Sequence, residues 1–424
     1  MTWLLVTATL MLGLTTLCWA CVGLARLLVR PGRGRHLAHE GAGELTARDV
    51  AVLVAAHDEE AVITGTIEAA AHLVGADQVF VVSDASSDTT VDVVRAHGAN
   101  VLDLWPNRGK AGALVAGLEH FDLASRFEVV MLLDADSRPA ADYLETGLPL
   151  FEPGVVAVAG RATTLQDTPP PTRAGRVLVA HRERMYLAVQ TLHKFGQAAA
   201  RANVVTIVPG FASMYRTSIL DQVDIAAPGL AIEDYNMTFE IHTKELGRIA
   251  FDPRAAKAYT QDPDTLGDYV RQMSRWGLGF WQTVLRHRPL LRPGIFLASL
   301  AMFCLEVVLS SLLLTVVLPA AALGAVAALL SGTGADVGGA ATAVDVFVPS
   351  TVLAAGIVLP DLLLTAYAAL LARRWSYLFL APAFVLLRIV DAWVNLRALA
   401  RALRGGSSGV WRSPARRAVV SPSS

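Results

Sequence analysis

The feature that most constrains this chain is where its charges are missing. From Thr2 to Ala25 there is no Asp, Glu, Lys or Arg. At about 1.5 Å of rise per helical residue, that run is long enough to cross a bilayer. A second apolar zone begins after Pro293 and continues, with interruptions, to about Leu396. Residues from about 48 to 290 have ordinary globular composition, so the totals of 54 % hydrophobic and 17 % charged residues reflect local excesses. Such a chain is expected to fold as a globular domain held between membrane helices.

No Lys or Arg precedes the first run, and the run exceeds a usual signal core, so it reads as a retained anchor. Trp19 also stands where a lipoprotein signal ending at Cys21 would need a small residue. Arg26, Arg30, Arg33 and Arg35 follow directly. The positive-inside tendency then places the globular domain in the cytoplasm of a multi-pass protein of the plasma membrane. The expected layout is an anchor over 1–28, a basic linker over 29–47, the globular domain over 48–290, apolar helices over 293–400 and a basic cytoplasmic tail over 401–424. A net charge of −1 gives no case for nucleic acid. Cys18, Cys21 and Cys304 all lie in membrane-type segments, which leaves neither a disulfide framework nor a zinc site.

The central region alternates short apolar runs with helical patterns. VAVLVAA (Val50 to Ala56), QVFVVSDA (Gln78 to Ala85), ANVLDL and EVVMLLDAD read as buried strands, each followed by a helical stretch. Strands alternating with helices predict an α/β domain with a mostly parallel sheet covered on both faces. In such sheets ligands bind beyond the carboxyl ends of the strands. His57-Asp58-Glu59, Ser83-Asp84 and Asp134-Ala135-Asp136 all fall at those ends. The last is the most telling: five apolar residues deliver two aspartates one residue apart, which repel unless a cation or ligand compensates.

The second half is less regular. Arg173, Arg176, Arg182, Arg184, Lys194 and Arg201 recur at helical spacing among apolar residues, as in a helix lying at the membrane surface or a solvated face of the domain. NVVTIVPG reads as a strand, AIEDYNMTFEIHTKELG as a helix opened by Glu233 and Asp234, RIAFDP as a short strand, and RQMSRWGLGFWQ as a helix. Paired acids, the loop Asn107-Arg108-Gly109-Lys110 opening a helix, an acidic helix start and a basic-aromatic cluster together suit a nucleotide diphosphate with a divalent cation.

In order, VAAHDEE, VVSDASSDTT, NRGKAGAL, LLDADS, GFASMYR, IEDYNMTFE and QMSRW resemble the membrane-bound family 2 glycosyltransferases, which include bacterial synthases of cellulose, hyaluronan and poly-N-acetylglucosamine. The resemblance covers about residues 48 to 290 by motif and the flanking segments by layout. It implies a GT-A-type nucleotide-sugar-binding domain flanked by transmembrane helices. It also implies that Asp134 and Asp136 hold Mg²⁺ or Mn²⁺ on the donor diphosphate, and that Glu59 and Asp84 hold the uracil and ribose. Lys110 would lie near the nucleotide. Asp234 would be the general base for an inverting transfer, with Glu233 beside it on the acceptor side. Gln272 and Arg275 would clamp the leaving diphosphate, for which the Arg fork is suited, and Trp276 would offer a flat face to the acceptor sugar.

Departures fall in the nucleotide half. Ser83 precedes Asp84 where the family usually has a second aspartate, Ala85 replaces a glycine, His57-Asp58 replaces aromatic and amide residues, and Val115 replaces an asparagine. The implied activity is extension of a β-linked extracellular polysaccharide from UDP-glucose or UDP-N-acetylglucosamine. The partners would be membrane lipids and accessory secretion subunits. Transfer to a lipid acceptor is the alternative, and a non-catalytic nucleotide-sugar sensor the second.

The apolar blocks at about 295 to 330, 346 to 372 and 376 to 396 contain Glu306 in the first and Arg388 and Asp391, spaced for an ion pair, in the last. Three crossings from a cytoplasmic domain leave the tail outside, whereas Arg397, Arg401, Arg404, Arg412, Arg416 and Arg417 argue for inside. Either one block lies in the interface or the first folds back.

Overall fold

A computed structural model describes residues 2–29, 45–165, 169–331 and 350–405. The linker arginines 30, 33 and 35 and the tail arginines 412, 416 and 417 lie outside the described residues. The centre is a seven-stranded sheet of order β3-β2-β1-β4-β8-β6-β9. Its strands are β1 (Val50–Ala56), β2 (Val79–Asp84), β3 (Asn100–Leu104), β4 (Val129–Asp134), β6 (Val155–Val158), β8 (Ala212–Arg216) and β9 (Arg248–Ala250). All neighbouring pairs are parallel except β8, which runs against both β4 and β6. A second sheet joins β5 (Ser137–Pro139), β10 (Lys257–Thr260) and β7 (Arg161–Thr164).

Every residue of β1 is buried, because helices cover the sheet on both faces and leave no side of the strand for water. On one face α3 (Ile63–Val74) packs Ile63, Ile67 and Ala70 against Val52, Val54 and Met131. On the other, α5 (Gly109–His120) packs Ala113, Leu114 and Ala116 against Leu53, Val82 and Leu132. Truncating such a residue costs about 2–5 kcal/mol. Register aligns the ends: Ala56 lies opposite Ser83 and Ala55 opposite Asp134. The carboxyl ends of β1, β2 and β4 therefore open on one edge. The short α4 (Thr90–Ala96) follows β2.

The expected strand over NVVTIVPG is not a strand. Val204, Val205 and Val208 are buried, but the segment joins neither sheet. Its backbone is tied by side chains instead: Val208 N–H donates to Thr238 Oγ1 at 2.8 Å, and Asn203 exchanges hydrogen bonds with Ile249 at 2.9 and 3.0 Å. Apolar burial produced the strand-like pattern without a ladder.

The basic stretch is divided between exposed and buried arginines. Helix α6 (Arg173–Ala188) continues through a π-helical turn, Val189–Lys194, into Phe195–Gln197. Arg173, Arg176 and Arg201 are exposed, whereas Arg182 and Arg184 are 4 % and 1 % exposed and are turned into the protein. Arg184 forks onto Asp361 with contacts of 2.8 and 3.0 Å, the bidentate geometry that suits a desolvated pair.

The N-terminal apolar run is two helices, α1 (Thr2–Leu12) and α2 (Leu14–Val29), bent by 67°. Gly13 allows the break, with a φ of +85° that disfavours other residues. Glu306 then caps α2 by accepting from Thr15 N–H at 2.9 Å, so this acid in an apolar helix is matched to the orphan donors of a helix start. Helices α7 (Glu233–Thr243) and α8 (Leu266–His287) lead from the domain to α9 (Ile295–Leu312), α10 (Ser350–Ala372) and α11 (Tyr377–Arg404). Three helical stretches, Ile295–Leu323, Thr351–Ala372 and Tyr377–Arg404, are long and apolar enough to cross a membrane, and the bent pair would make a fourth. The Arg388–Asp391 pair suggested by spacing is not formed. Arg388 reaches Asp361 at 3.4 Å and the Met11 carbonyl at 2.7 Å, while Asp391 accepts from Tyr269 OH at 2.6 Å and meets His181 Nε2 at 3.1 Å.

Candidate active site

The loops after β1 and β2 are laced to each other. Asp58 accepts from Ser87 N–H at 2.7 Å, Glu59 N–H donates to Thr90 Oγ1 at 3.0 Å, and Glu60 accepts from Thr89 N–H at 3.0 Å. This holds Glu59, 2 % exposed, beneath the edge of the sheet. Asp84, fully buried at the end of β2, accepts from Arg108 N–H at 2.7 Å. Its backbone carbonyl accepts from Asn107 Nδ2 at 3.0 Å and lies 2.7 Å from His57 Nδ1. His57 thus bridges two loops. Burial raises the Asp84 carboxyl, with the Arg108 and Gly109 amides working the other way. Asp84 Oδ2 is buried and has no hydrogen-bond partner. Ala85 adopts a φ of +58°, a left-handed conformation in which glycine is at ease and alanine is strained.

Lys110 sits in the first turn of α5, and its ammonium lies 2.7 Å from Asp134 Oδ1 and 2.7 Å from Glu233 Oε1. One side chain thus joins the end of β4 to the start of α7. Burial works against the charge, but Asp134, Glu233 and Asp234 together hold Lys110 protonated, well above the usual lysine range. Burial raises the Asp134 carboxyl, Lys110 pulls it down, and the negative charge of Asp136 pushes it up again. Asp136 is 7 % exposed.

Glu233 and Asp234 share the first turn of α7 and a hydrogen bond with each other, yet their environments drive them apart. Burial opposes ionisation of Glu233, but Lys110 and the hydrogen bond from Asp234 hold it down at about 2. Asp234 is pushed up to about 8, by burial first and then by the neighbouring Glu233 charge. Asp234 Oδ2 accepts from Gly210 N–H at 2.8 Å, while Oδ1 is buried with no hydrogen-bond partner. A side chain at Gly210 would run into the Asp234 carboxylate, so glycine is required for the approach. One ionised and one protonated acid side by side is an arrangement that moves protons at neutral pH.

The structure therefore brings Lys110, Asp134, Glu233 and Asp234 together, with Asp136 beside Asp134. Gln272, Arg275 and Trp276 lie on α8, which packs along α7 through Tyr235 against Phe280 and through Gly279 against Ile232. Among the described residues Arg275 has no ion pair, and Gln272 Oε1 is buried without a partner. One face of Trp276 is covered by the Arg182 guanidinium, 4.5 Å from the ring centroid, and Arg182 is in turn held by Asp262 at 3.3 Å. Arg182, Asp262 and Gly210 were not singled out for the site by sequence; Arg182 lies in the basic run and Gly210 opens the motif GFASMYR, while nothing in the sequence marked Asp262.

No group of three or more His, Cys, Asp or Glu side chains assembles among the described residues that could hold a metal unaided. Asp134 and Asp136 supply two carboxylates, the number that suffices for a Mg²⁺ or Mn²⁺ site completed by substrate phosphates.

Residues 47–279 match the sequence model described as glycosyltransferase like family 2. The chain is 24 % identical over 249 residues to a poly-β-1,6-N-acetyl-D-glucosamine synthase of Staphylococcus epidermidis, covering 56 % of each. It is 28 % identical over 255 residues to the probable glycosyltransferase YdaM of Bacillus subtilis, again covering 56 % of each. The chain thus spans about half the length of the curated relatives it matches. Among solved structures, the mannosyltransferase PcManGT of Pyrobaculum calidifontis, in complex with GDP-Man and Mn²⁺, aligns at a TM-score of 0.48 and 18 % identity, covering 91 % of this chain and 99 % of that one.

Proposed function

The chain belongs to glycosyltransferase family 2, and from that premise we propose that it is an inverting, divalent-cation-dependent transferase extending a β-linked extracellular polysaccharide from a UDP-sugar. The observation that carries this is the split between Glu233 and Asp234. Asp234 is a buried carboxyl near neutrality, with one oxygen fixed by Gly210 N–H and the other without a hydrogen-bond partner. The sugar would be glucose or N-acetylglucosamine; the name of the Staphylococcus relative favours the latter.

In this reading the diphosphate lies over the ends of β1, β2 and β4, with Asp84 and Glu59 beneath the nucleoside. Asp134 and Asp136 would hold Mg²⁺ or Mn²⁺, which when bound neutralises the diphosphate and makes it a better leaving group. Lys110 adds a second positive charge next to the same oxygens. Asp234 Oδ1 accepts the proton of the acceptor hydroxyl as its oxygen attacks the anomeric carbon and the bond to the diphosphate breaks. Attack from the face opposite the leaving group inverts the anomeric centre. Gln272 and Arg275 face the departing diphosphate, Arg275 without a competing carboxylate. The domain would be cytoplasmic, with α9 to α11 and the bent α1–α2 pair in the plasma membrane.

The test is incubation of detergent-purified protein with Mg²⁺ or Mn²⁺ and radiolabelled UDP-glucose or UDP-N-acetylglucosamine, beside Asp234→Asn. High-mass label that falls at least about 10²-fold in the variant, with donor binding retained, is the expected result. Label confined to the lipid phase would make the acceptor a lipid. Donor binding without any transfer would leave a sensor.

A further inference from the structure

Strand β9 ends at Ala250, and Phe251 follows at the carboxyl end of that strand. Strand β6 is parallel to β9, and β8 is antiparallel to both β6 and β4. β9 therefore points the same way as β4, and Phe251 lies on the edge that carries Asp134. The nucleotide-facing loops follow β1, β2 and β3, so the half of this edge formed by β6 and β9 lies on the other side of β4 from them.

In that half sits Lys194, 6 % exposed, with its ammonium 5.3 Å from the centroid of the Phe251 ring. Among the described residues it makes no hydrogen bond and no ion pair. An ammonium buried without a counter-ion is among the most costly placements a side chain can take. The segment carrying it is firmly fixed. It is the last residue of a π-helical turn, a feature enriched at functional sites. Gln190 of the same turn clamps the backbone of Ala162 from both sides, at 2.8 and 2.9 Å. One turn on, Gln197 Nε2 is buried and also lacks a partner. Asp234 Oδ1 is likewise buried without a partner, and the Asp234 carboxyl is the acidic group whose attraction reaches Lys194.

We infer that Lys194 is an acceptor-binding residue, whose ammonium donates to an oxygen of the terminal acceptor sugar while another hydroxyl of that sugar meets Asp234. The inference rests on the transferase reading above and deepens it. Burial holds the Lys194 ammonium down at about 7, with Asp234 the attraction acting against it. That is the behaviour of a cation short of a partner. Nothing on the nucleotide half requires it, so its loss should spare the donor.

The test uses the full chain in detergent with Mg²⁺, UDP-N-acetylglucosamine and a soluble N-acetylglucosamine tetramer, comparing wild type with Lys194→Met and Lys194→Arg. Three quantities are read: KM for the tetramer, affinity for UDP, and release of UDP to water without acceptor. Loss of a hydrogen bond from a charged donor predicts an increase of tenfold or more in tetramer KM for the Met variant. A smaller increase is expected for Arg, with UDP affinity and UDP release unchanged in both. An unchanged tetramer KM would overturn the inference, and so would a parallel fall of all three quantities, which marks a structural lysine. Should wild type release UDP to water but elongate nothing, both the inference and the transferase reading would fall. UDP release that survives in Asp234→Asn would sink only the base assignment.

Discussion

Replacing Lys110 by Met tests the charge bridge at the centre of the site. Glu233 is 8 % exposed and held from its ordinary 4.5 down to about 2, with Lys110 the largest of the favourable causes. At about 1.36 kcal/mol per pH unit, that drop corresponds to about 3 kcal/mol. Asp134 is left out of the sum, since a third of its side chain is open to water. For a folding unit of this size each kcal/mol moves the melting temperature by about 2–4 °C, so Lys110→Met should melt roughly 6–12 °C below wild type at pH 7.5. A carboxyl depressed in the folded state contributes stability that is complete above its unfolded pKa and lost as pH falls through its folded one. The gap between the two proteins should therefore be full above about 4.5 and shrink as pH is lowered towards 2. Intrinsic fluorescence melts at pH 7.5 and pH 3.5 measure it, and Lys110→Met/Glu233→Gln should recover most of the loss at pH 7.5. Equal gaps at the two pH values, or no recovery in the double variant, would refute the assignment of this energy to the Lys110–Glu233 pair.

Other outcomes follow from the same geometry. The free-enzyme limb of kcat/KM should rise with pH through about 8, where Asp234 loses its proton, and Glu233→Gln should move that midpoint downwards by removing the charge that raises it; a pH profile of each protein decides. Ala85→Gly should raise stability by about 0.5–1 kcal/mol in a thermal melt, by relieving the left-handed alanine. Arg184→Met should cost up to about 3–5 kcal/mol in a thermal melt, since it leaves buried Asp361 with Arg388 at 3.4 Å as its one remaining cation, and Arg184→Lys should cost less. Asp391→Asn weakens the link from α11 to Tyr269 on α8, the helix that carries Gln272 and Arg275. Turnover should fall with it, and Tyr269→Phe should reproduce the loss.

The parallel strands were legible because β1, β2 and β4 are apolar on both faces, as in a covered sheet, with Asp84 and Asp134 ending β2 and β4 and Asp58-Glu59 just beyond β1. Asp134, Asp136 and Asp234 were legible because their chemistry is local: paired acids at a strand end, and an acidic first turn of a helix. What sequence did not disclose depends on distant partners. Arg184 and Asp361 are 177 residues apart, so a buried bidentate pair looked like part of a basic face. NVVTIVPG carries the burial of a strand, but its amides are taken by Thr238 and Asn203, which no local periodicity reveals. The bend at Gly13 was hidden because a single glycine in an apolar run is unremarkable until Glu306 is seen capping the helix beyond it.

That bend gives the first 29 residues a double attachment. Helix α1 lies against α10, where Gly356 leaves room for Thr7. Helix α2 lies on the segment beside Lys194: Trp19 crosses Gly196, Thr16 meets His193 at 3.2 Å, and Arg26 covers the Phe195 ring at 4.2 Å. A truncation meant to free a soluble domain by trimming what looks like a leader would therefore unroof the floor under Lys194. The useful boundary for engineering runs between α2 and α1, through Gly13, rather than after Val29.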